Sequence, residues 1–370
     1  MKNHLYEKNL SLDCIKFQYG GGMERYVIDL INGFHQLSIR PTVFSTKFNK
    51  DLIEYQFINP VKINLSFIPK PLRKFLLSYF FNKRRKNGLS ITTIYSQSDI
   101  VICGGNHKGY LAKICKQASK QASKQASKQA SKQASLTDKL KITNEQKSLS
   151  HSKLVIAHSK MMRDELVQFY NIDSNKISTI YPPVDINKFI LPESDNKRSA
   201  LRERFGFNDN EIIYLFPSTG HKRKGFDILK EYFENSALPI RLVVAGTPVP
   251  ESKNISSLGY CKNMPELYQA TDYTIMASIY EPFGLVGIES ILSGTPIIFS
   301  DNIGCLEVLK NNFGYSFSRE NLNTLDNAIK ESVKKAKAFK HRINNPFDCI
   351  DYNPSLLSHV ERLLEEIKQL

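Results

Sequence analysis

The sequence lacks several features that define whole classes of protein. No stretch approaches the roughly 18 uninterrupted apolar residues that a membrane-spanning helix needs. The first ten residues, MKNHLYEKNL, contain no apolar core of a secretory signal peptide. No GxGxxG pattern follows a predicted strand, which excludes the usual dinucleotide oxidoreductases. We therefore expect a cytoplasmic protein without a membrane-spanning segment.

Paired cysteines and metal-ligand patterns are also absent. The sequence has no CxxC pair, and its six cysteines stand singly at Cys14, Cys103, Cys115, Cys261, Cys305 and Cys349. This scatter is typical of reduced thiols, not of structural zinc or a disulfide framework. No Asp-x-Asp pair or His/Asp cluster marks a metal site. The sequence predicts neither a metal nor another cofactor.

Acidic residues are scarce in the first half of the chain. The whole sequence has 51 Lys and Arg against 36 Asp and Glu, a net charge of +15. Residues 1–175 hold 28 basic and 12 acidic side chains, whereas residues 176–370 hold 23 and 24. The first half should therefore attract anionic groups. No nucleic-acid motif accompanies this charge, so we do not expect nucleic acid as a partner.

The length of 370 residues and the hydrophobic pattern predict two α/β domains. Short apolar runs alternate with amphipathic stretches, as in parallel sheets covered by helices. Predicted strands are 12–17, 42–45, 100–103, 154–157, 212–216, 242–245, 273–276 and 295–299. Predicted helices are 25–34, 161–170, 227–233, 264–270, 288–292, 325–338 and the apolar-faced 354–370. Because two adjacent prolines at 182–183 exclude helix, residues 171–189 are the expected crossing between domains. The predicted boundaries are 1–175 for the first domain, 176–350 for the second domain and 351–370 for a C-terminal helix.

A low-complexity segment interrupts the first domain. The tetrapeptide KQAS occurs five times in succession from Lys116 to Ser135. A four-residue unit whose only apolar member is alanine cannot form a stacked repeat fold. We expect a solvated, frayed helix or a disordered insert; the alternative is a partner-binding module. The codons AAG-CAA-GCA-AGC would make the gene a tetranucleotide tract, so we hypothesise frameshift switching, which mixed codons across the five units would contradict.

A second segment combines basic and aromatic residues. KPLRKFLLSYFFNKRRK, residues 70–86, places Leu and Phe side chains among seven Lys and Arg. This composition suits an anionic membrane interface. It equally suits an ordinary helix whose apolar face packs in the domain core, and the sequence leaves both interpretations open.

Two carboxylates lie in the stretch ASIYEPFGLVGIESILSGTPIIFS, residues 277–300. Glu281 falls in a loop after a predicted strand, where open α/β sheets bind ligands, and Glu289 lies eight residues on, in a predicted helix. Each carboxylate accepts hydrogen bonds from two vicinal hydroxyls, so the pair suits a polyhydroxylated ligand. On spacing alone, a solvated loop residue plus a helix cap is the favoured interpretation of the pair.

The surrounding residues carry a family resemblance. EPFGLVGIE followed by SGTPII closely resembles the E-x7-E signature of retaining nucleotide-sugar glycosyltransferases of family four. Similar segments extend over most of the chain: GGGMERYVIDL resembles the N-terminal glycine loop and helix of that family, AHSKMMRDELVQFY and KISTIYPPVDINKF its interdomain passage, and LGYCKNMPELYQATDYTIMAS the approach to the signature. STGHKRKG is locally similar to bacterial lipopolysaccharide-core glycosyltransferases.

The resemblance implies a GT-B fold of two Rossmann-like domains, with parallel sheets facing a cleft and the C-terminal helix packing back on the N-domain. It also implies donor-binding roles. Glu281 would bind hydroxyls of the donor sugar, and Glu289 would bind the ribose. Lys224 would hold the diphosphate. Backbone amides for the sugar and diphosphate would come from Phe283, Gly284, Leu285 and Val286.

The resemblance places three further residues in the first domain. Gly21 and Gly22 would let the backbone approach the phosphate because no Cβ stands in the way. His107, in ICGGNH, would lie beside the donor sugar. A permissive turn and a structural histidine are the respective alternatives.

The sequence departs from the family pattern at the phosphate clamp. Many members carry a Gly-Arg pair five residues before the lysine, but Ser218 and Thr219 occupy that region here. Lys222 or Arg223 is then the replacement for the arginine, unless the basic run is only a solvated turn. Retention in this family is explained by attack on the leaving-group face, with the donor phosphate helping to take the proton. We therefore assign no protein nucleophile; the candidate catalytic residues are Glu281, Lys224 and His107.

The resemblance implies a metal-independent hexosyltransferase that uses a nucleotide sugar, with UDP-hexose as the expected donor. The expected acceptor is a lipid-linked saccharide of the lipopolysaccharide core, at the inner face of the plasma membrane. Capsule, exopolysaccharide or glycolipid acceptors are the alternatives. A basic nucleic-acid-binding protein or an inactive scaffold is the non-enzyme alternative.

Overall fold

The computed structural model describes residues 10–85, 88–122 and 135–370. The chain divides into two compact units. Met1–Pro183 and Pro354–Leu370 form the first, and Val184–Asn353 form the second.

In its described part, the first unit contains a seven-stranded parallel sheet with strand order β3-β2-β1-β4-β5-β6-β7. The strands are β1 (Ser11–Phe17), β2 (Thr42–Phe48), β3 (Asn59–Lys62), β4 (Ser90–Thr92), β5 (Ile100–Cys103), β6 (Leu154–Ala157) and β7 (Ile177–Thr179). The chain first moves outward from β1 to β3 and then returns to β4 on the other side of β1. The crevice between β1 and β4 is therefore the topological switch point of this sheet.

Helices cover this sheet. They are α1 (Gly22–Gln36), α2 (Lys70–Arg84), α3 (His107–Ala122), α4 (Leu136–His151) and α5 (Lys160–Tyr170). Local signals fix their ends: Ser135 and Asp138 form a capping box at the start of α4, and Ser159 caps α5. Asn171 ends α5 in the left-handed conformation, at a φ of 52°.

The C-terminal helix α12 (Leu356–Lys368) completes the first unit by packing on α1. The two helices approach so closely at Gly33 that a Cβ there would lie 2.4 Å from Cγ2 of Val360. Val360, Leu363, Leu364 and Ile367 are buried in the same core as the apolar face of α1. The His359 imidazole adds two hydrogen bonds to this contact. Its Nε2 lies 2.9 Å from the Tyr26 hydroxyl, and its Nδ1 lies 2.9 Å from the Tyr181 carbonyl oxygen. The predicted packing of this helix on the N-terminal domain is confirmed.

The second unit, whose residues are all described, contains a six-stranded parallel sheet with order β10-β9-β8-β11-β12-β13. The strands are β8 (Ile212–Ser218), β9 (Ile240–Gly246), β10 (Ile255–Gly259), β11 (Tyr273–Met276), β12 (Ile297–Ser300) and β13 (Gly314–Phe317). The helices are α6 (Asp195–Arg204), α7 (His221–Lys224), α8 (Phe226–Glu234), α9 (Met264–Ala270), α10 (Leu285–Leu292) and α11 (Asn323–Lys337). The chain runs outward from β8 to β10 and then returns to β11, so the switch point lies between β8 and β11.

Each of the eight predicted strands corresponds to an observed strand, with ends that differ by at most three residues. Prediction missed β3, β4, β7, β10 and β13, which are short and rich in polar residues, Gly or Pro. It also missed α3, α4, α6 and the four-residue α7. Helix α6, DNKRSALRER, is almost entirely polar and therefore has no apolar periodicity.

The predicted domain boundaries need correction. Strand β7 pairs with β6 in the first sheet, so the first unit continues to Pro183 and does not end at residue 175. The second unit extends past residue 350 to Asn353 because the Asp351 amide bonds to the Val308 carbonyl. The unit boundary falls directly after the Pro182-Pro183 pair, within the predicted crossing.

The KQAS repeat begins inside a helix. Helix α3 extends to Ala122 and so includes the first seven residues of the repeat. Ser135, its last residue, caps α4. Residues 123–134 lie outside the described residues, so the prediction for the remainder stays a prediction.

The basic-aromatic segment 70–86 forms α2 apart from its last two residues. Leu77 and Phe81 are fully buried in a core that also contains Phe44, Leu65 and Ile94. This face of the helix therefore has the ordinary domain-core role. Leu72 and Tyr79 lie outside that core, 48% and 56% exposed. Within the described ranges, no helix has the length and apolarity to cross a membrane.

Candidate donor site

Most of the predicted site residues lie at the carboxyl edge of the second sheet, where β8 and β11 meet. Helix α7 follows β8, and the loop 277–284 follows β11. Two backbone hydrogen bonds join them: the Ile279 amide donates to the Arg223 carbonyl at 2.8 Å, and the Ala277 amide donates to the Lys224 carbonyl at 3.2 Å. The basic turn and the acidic loop therefore form one local structure.

Gly225 makes this close approach feasible. Its φ of 75° is left-handed, and it ends α7 and precedes α8. A Cβ at this position would lie 1.8 Å from the Ala277 carbonyl oxygen. Only glycine fits both the backbone conformation and the space.

Arg223, Lys224 and Glu281 form the charged centre of the site. Nη1 of Arg223 lies 2.7 Å from Oε2 of Glu281 and also donates to the Tyr280 carbonyl at 2.8 Å. The Lys224 ammonium donates to the Pro217 carbonyl at 2.8 Å. Burial lowers the pKa of Lys224, while Glu281 opposes that shift. The Arg223 and Glu281 side chains remain 37% and 17% exposed, so both are accessible to a ligand.

The segment after Glu281 places backbone amides beside this centre. Gly284 has a φ of 92° and precedes α10, which begins at Leu285, earlier than the predicted start at residue 288. The Phe283 carbonyl accepts a 2.6 Å hydrogen bond from the Cys305 amide, which fixes the loop. The Leu285 and Val286 amides lie in the first turn of α10, where N–H groups have no partner within the helix. Such amides favour an anion.

Glu289 lies in the second turn of α10 and is 5% exposed. The Tyr268 hydroxyl donates to its Oε2 at 2.9 Å. The neighbouring helix α9, which supplies Tyr268, thus orients this carboxylate. The Glu289 side chain is therefore buried and hydrogen-bonded. It is not the solvated helix-capping residue that the sequence spacing also allowed.

Sequence reasoning missed two side chains that support the site. Arg319 lies two residues after β13, and its guanidinium donates to the Ala277 carbonyl. Burial lowers the pKa of Arg319. Nδ2 of Asn302 donates to the carbonyls of Ser278 and Ile279 at 2.9 and 2.8 Å. Both side chains donate to backbone carbonyls of the loop after β11, which is distant from them in sequence. No local sequence signal therefore identified them, and β13, which precedes Arg319, was not predicted.

Gly21 and Gly22 lie in the first unit, at the carboxyl end of β1 beside its switch point. Gly21 precedes α1 with a φ of −71°, a conformation open to any residue. A Cβ at Gly22 would meet no atom of the described residues within 4 Å. Backbone conformation therefore does not demand glycine at these positions, and the open space beside Gly22 is what a ligand could use.

His107 is the first residue of α3 in the same unit. Its Nε2 lies 2.8 Å from Oδ1 of Asp138, and its backbone amide donates to Glu145. Together with Ser135, His107 lowers the pKa of Asp138 to about 2. The imidazole therefore connects α3 to α4, the two helices that flank the KQAS repeat in sequence. This contact is consistent with the structural histidine that the sequence analysis gave as the alternative to a role beside the donor sugar.

The structure thus brings together Arg223, Lys224, Glu281, the 283–286 backbone and Glu289 in the second unit. Gly21, Gly22 and His107 belong to the first unit. Across residues 10–85, 88–122 and 135–370, no three His, Cys, Asp or Glu side chains cluster as metal ligands. Metal independence stays a prediction.

Two family models match the chain. The model for group 1 glycosyl transferases matches residues 197–346, and that for glycosyltransferase family 4 matches residues 20–188. A probable transglycosylase of Burkholderia thailandensis is 36% identical over 365 residues, covering 96% of each chain. This chain belongs to the group 1 glycosyltransferases.

Solved structures show the fold of this glycosyltransferase. WaaG, a glycosyltransferase involved in lipopolysaccharide biosynthesis, matches with a TM-score of 0.77 at 12% identity, over 97% of this chain and 99% of WaaG. HepE of Anabaena, solved in complex with UDP-glucose, matches with a TM-score of 0.71 at 16% identity, over 98% of this chain and all of HepE. The predicted GT-B fold is confirmed.

Proposed function

We propose that this glycosyltransferase moves a hexose from a UDP-sugar, with retention of configuration, to a lipid-linked saccharide of the lipopolysaccharide type. The observation that carries the proposal is the cluster of Arg223, Lys224 and Glu281 at the switch point of the second sheet. It combines two cations for a diphosphate with one accessible carboxylate for sugar hydroxyls. The UDP-glucose complex of HepE and the lipopolysaccharide role of WaaG support the donor and acceptor classes.

In the proposed reaction, the bond from the sugar anomeric carbon to the diphosphate breaks while the acceptor hydroxyl attacks the same carbon. Negative charge develops on the departing nucleoside diphosphate. The Lys224 ammonium and the amides at the start of α10 would stabilise that charge because they are already fixed in position. The attack occurs on the leaving-group face, and the diphosphate oxygen receives the acceptor proton.

Glu281 and Arg223 exchange partners in this scheme. Their ion pair links two side chains that both retain solvent contact. When the donor binds, Arg223 turns to the diphosphate and the carboxylate becomes free to accept hydrogen bonds from the sugar. Lys222, exposed on the same turn, remains a solvated residue.

Glu289 tests the nucleotide part of the proposal. Glu289→Gln retains the size of the side chain but removes the charge that would accept both ribose hydroxyls. Since a hydrogen bond to a charged group contributes about 1.5–3 kcal/mol, the Kd for UDP should rise about 10- to 100-fold. Calorimetric titration with UDP measures this change, and a thermal-shift panel of UDP-, GDP- and ADP-sugars on wild type identifies the nucleotide.

The matched control is Glu231→Gln, an exposed glutamate on α8 of the same unit. Its Kd for UDP should equal that of the wild type. An unchanged Kd in Glu289→Gln would remove Glu289 from the donor site, and a preference for GDP or ADP would replace the proposed nucleotide.

We further propose that the exposed surface around α2 contacts anionic membrane, where a lipid-linked acceptor would lie. This surface consists of Phe67, Leu72 and Tyr79, which are 76%, 48% and 56% exposed, with the exposed Lys83 and Arg84 at the end of the helix. Leu77 and Phe81 of α2 are already buried in the core, whereas the side chains of this surface are exposed and available to lipid.

Neutralising Lys83 and Arg84 together should weaken binding to phosphatidylglycerol-containing vesicles roughly 30-fold, because each basic side chain contributes about 1 kcal/mol at such a surface. Vesicle flotation measures the partition. The control K139A/K147A removes two exposed charges from α4 in the same unit and should bind normally. Equal partition of wild type into neutral and anionic vesicles would contradict the proposal.

A further inference from the structure

A cavity of about 500 Å³ opens in the second unit on the edge of the sheet opposite the donor site. Tyr273, Pro296 and Gly314 line it at the amino ends of β11, β12 and β13. The donor-site segments follow the carboxyl ends of β8 and β11. Strands β11, β12 and β13 have four residues each, so about 13 Å of sheet separates the two edges. A cavity of this size is typical of small-molecule sites.

The charged residues that line the cavity are predominantly basic: Lys335, Lys340 and Arg342, against the single carboxylate of Asp348. Lys335 on α11 and Lys340 after it both line the cavity and are exposed. Neither lysine lies within ion-pair distance of a carboxylate in the part of the chain that the structure describes. The Lys335 ammonium lies 5.3 Å from the centre of the Tyr315 ring, which forms part of the same wall.

Positive charge is also in excess behind the cavity wall. Asp272 is buried and lies 2.7 Å from Arg198 and 3.1 Å from Arg202. Arg342, which lines the cavity, belongs to the same cluster, and its pKa falls to about 9 because of burial and the nearby Arg198. A single buried carboxylate therefore faces three guanidinium groups, and an anion in the cavity would reduce their repulsion.

Two residues that line the cavity each have a buried polar atom without a hydrogen-bond partner among the described residues: Nδ1 of His341 and the hydroxyl of Tyr315. His341 is nine-tenths buried, and its Nε2 lies 3.1 Å from Asp272, whose pKa is lowered by His341 and the arginines. The ionised carboxylate requires an Nε2–H donor, which leaves Nδ1 as an acceptor. Nδ1 therefore needs a ligand donor such as a hydroxyl. An unpartnered buried polar atom costs about 1–3 kcal/mol, so a ligand that satisfies it gains affinity.

We propose that this cavity binds a phosphorylated sugar, with the phosphate at Lys335 and Lys340 and the sugar hydroxyls at His341 Nδ1 and Tyr315. Amide groups for further hydroxyls are available from the lining side chains of Asn311, Asn312, Asn344 and Asn345. The site uses no residue of the donor site and does not depend on the proposed transfer reaction.

Calorimetric titration of the full chain with glucose 6-phosphate tests the proposal, with inorganic phosphate and glucose as separate probes. We expect glucose 6-phosphate to bind with a Kd between about 10 µM and 1 mM, and each separate probe at least tenfold more weakly. Saturating UDP should leave this Kd unchanged. Equal affinity for inorganic phosphate would overturn the sugar-phosphate assignment, and absence of binding by all three probes would overturn the site.

Two sets of variants locate the binding. K335A/K340A should bind glucose 6-phosphate at least tenfold more weakly than wild type. K334A/K337A, with two exposed lysines removed from the same helix outside the cavity, should bind normally. Tyr315→Phe removes a hydroxyl that has no hydrogen-bond partner in the described part of the chain, so its melting temperature should not fall while its affinity drops about three- to tenfold. Wild-type affinity in K335A/K340A would contradict the proposal.

Discussion

Replacing Glu281 with alanine should lower the rate of sugar transfer by about 10²- to 10³-fold. The variant loses the accessible carboxylate that would hold the sugar hydroxyls in the transition state, and loss of one such positioned group costs about 10²–10³ in rate. It also frees Arg223 from its 2.7 Å partner, so the guanidinium is no longer held in its position beside the Tyr280 carbonyl. Steady-state transfer with a UDP-sugar donor measures the loss.

Stability does not explain this expected loss. The Arg223–Glu281 pair is partly exposed, and pairs of that kind contribute about 0–1 kcal/mol. The melting temperature of Glu281→Ala should therefore remain within a few degrees of wild type. Glu281→Gln should recover part of the activity because an amide oxygen still accepts a hydroxyl. Glu231→Ala, on the exposed face of α8, should transfer normally; near-wild-type turnover by Glu281→Ala would refute the assigned site.

Gly225→Ala should destabilise the second unit by about 3 kcal/mol or more. The left-handed backbone costs a residue with a Cβ about 1–2 kcal/mol, and overpacking adds about 1–3 kcal/mol. The clash is with backbone, since the new Cβ would lie 1.8 Å from the Ala277 carbonyl oxygen. Relief of that clash separates α7 from the loop after β11, so activity should fall as well. Urea unfolding gives the stability change.

Gly206→Ala is the matched control for that experiment. Gly206 has a φ of 70°, almost the same as Gly225, but a Cβ there would meet nothing within 4 Å. It should lose only the backbone contribution of about 1–2 kcal/mol and keep its activity. The difference between the two variants isolates the contact between the two loops. Equal losses of unfolding free energy in both variants would show that the close approach of Gly225 to the Ala277 carbonyl does not contribute to the stability difference.

The parts of the fold predicted correctly from sequence are those with strong apolar patterns. Strands such as β5 and β6 are continuous apolar runs, and the C-terminal helix has a clear apolar face. Strand β13, GYSF, has no such pattern, so prediction could not place Arg319 at the site. Helix α4 was not predicted because it also lacks a clear apolar pattern, although the residues of its capping box were present in the sequence.

The candidate site divides in the same way. Glu281 and Lys224 were found because they follow strands and lie in family-like motifs. Their local partners were not predictable, because Arg223 and Glu281 are 58 positions apart and meet only through the order of β8 and β11. The contact of His107 with Asp138, 31 positions away, is likewise a tertiary feature. Sequence spacing identifies chemical groups, but not which of them neutralise one another.

The position of α12 has a consequence for synthesis of the chain. The second unit is one continuous segment, 184–353, whereas the first unit takes its last helix from the residues that follow that segment. During synthesis, every residue of the second unit is translated before α12, so the α1 face around Gly33 stays uncovered until α12 has been made. The first unit therefore cannot complete its fold before the second unit has been synthesised, although it begins first.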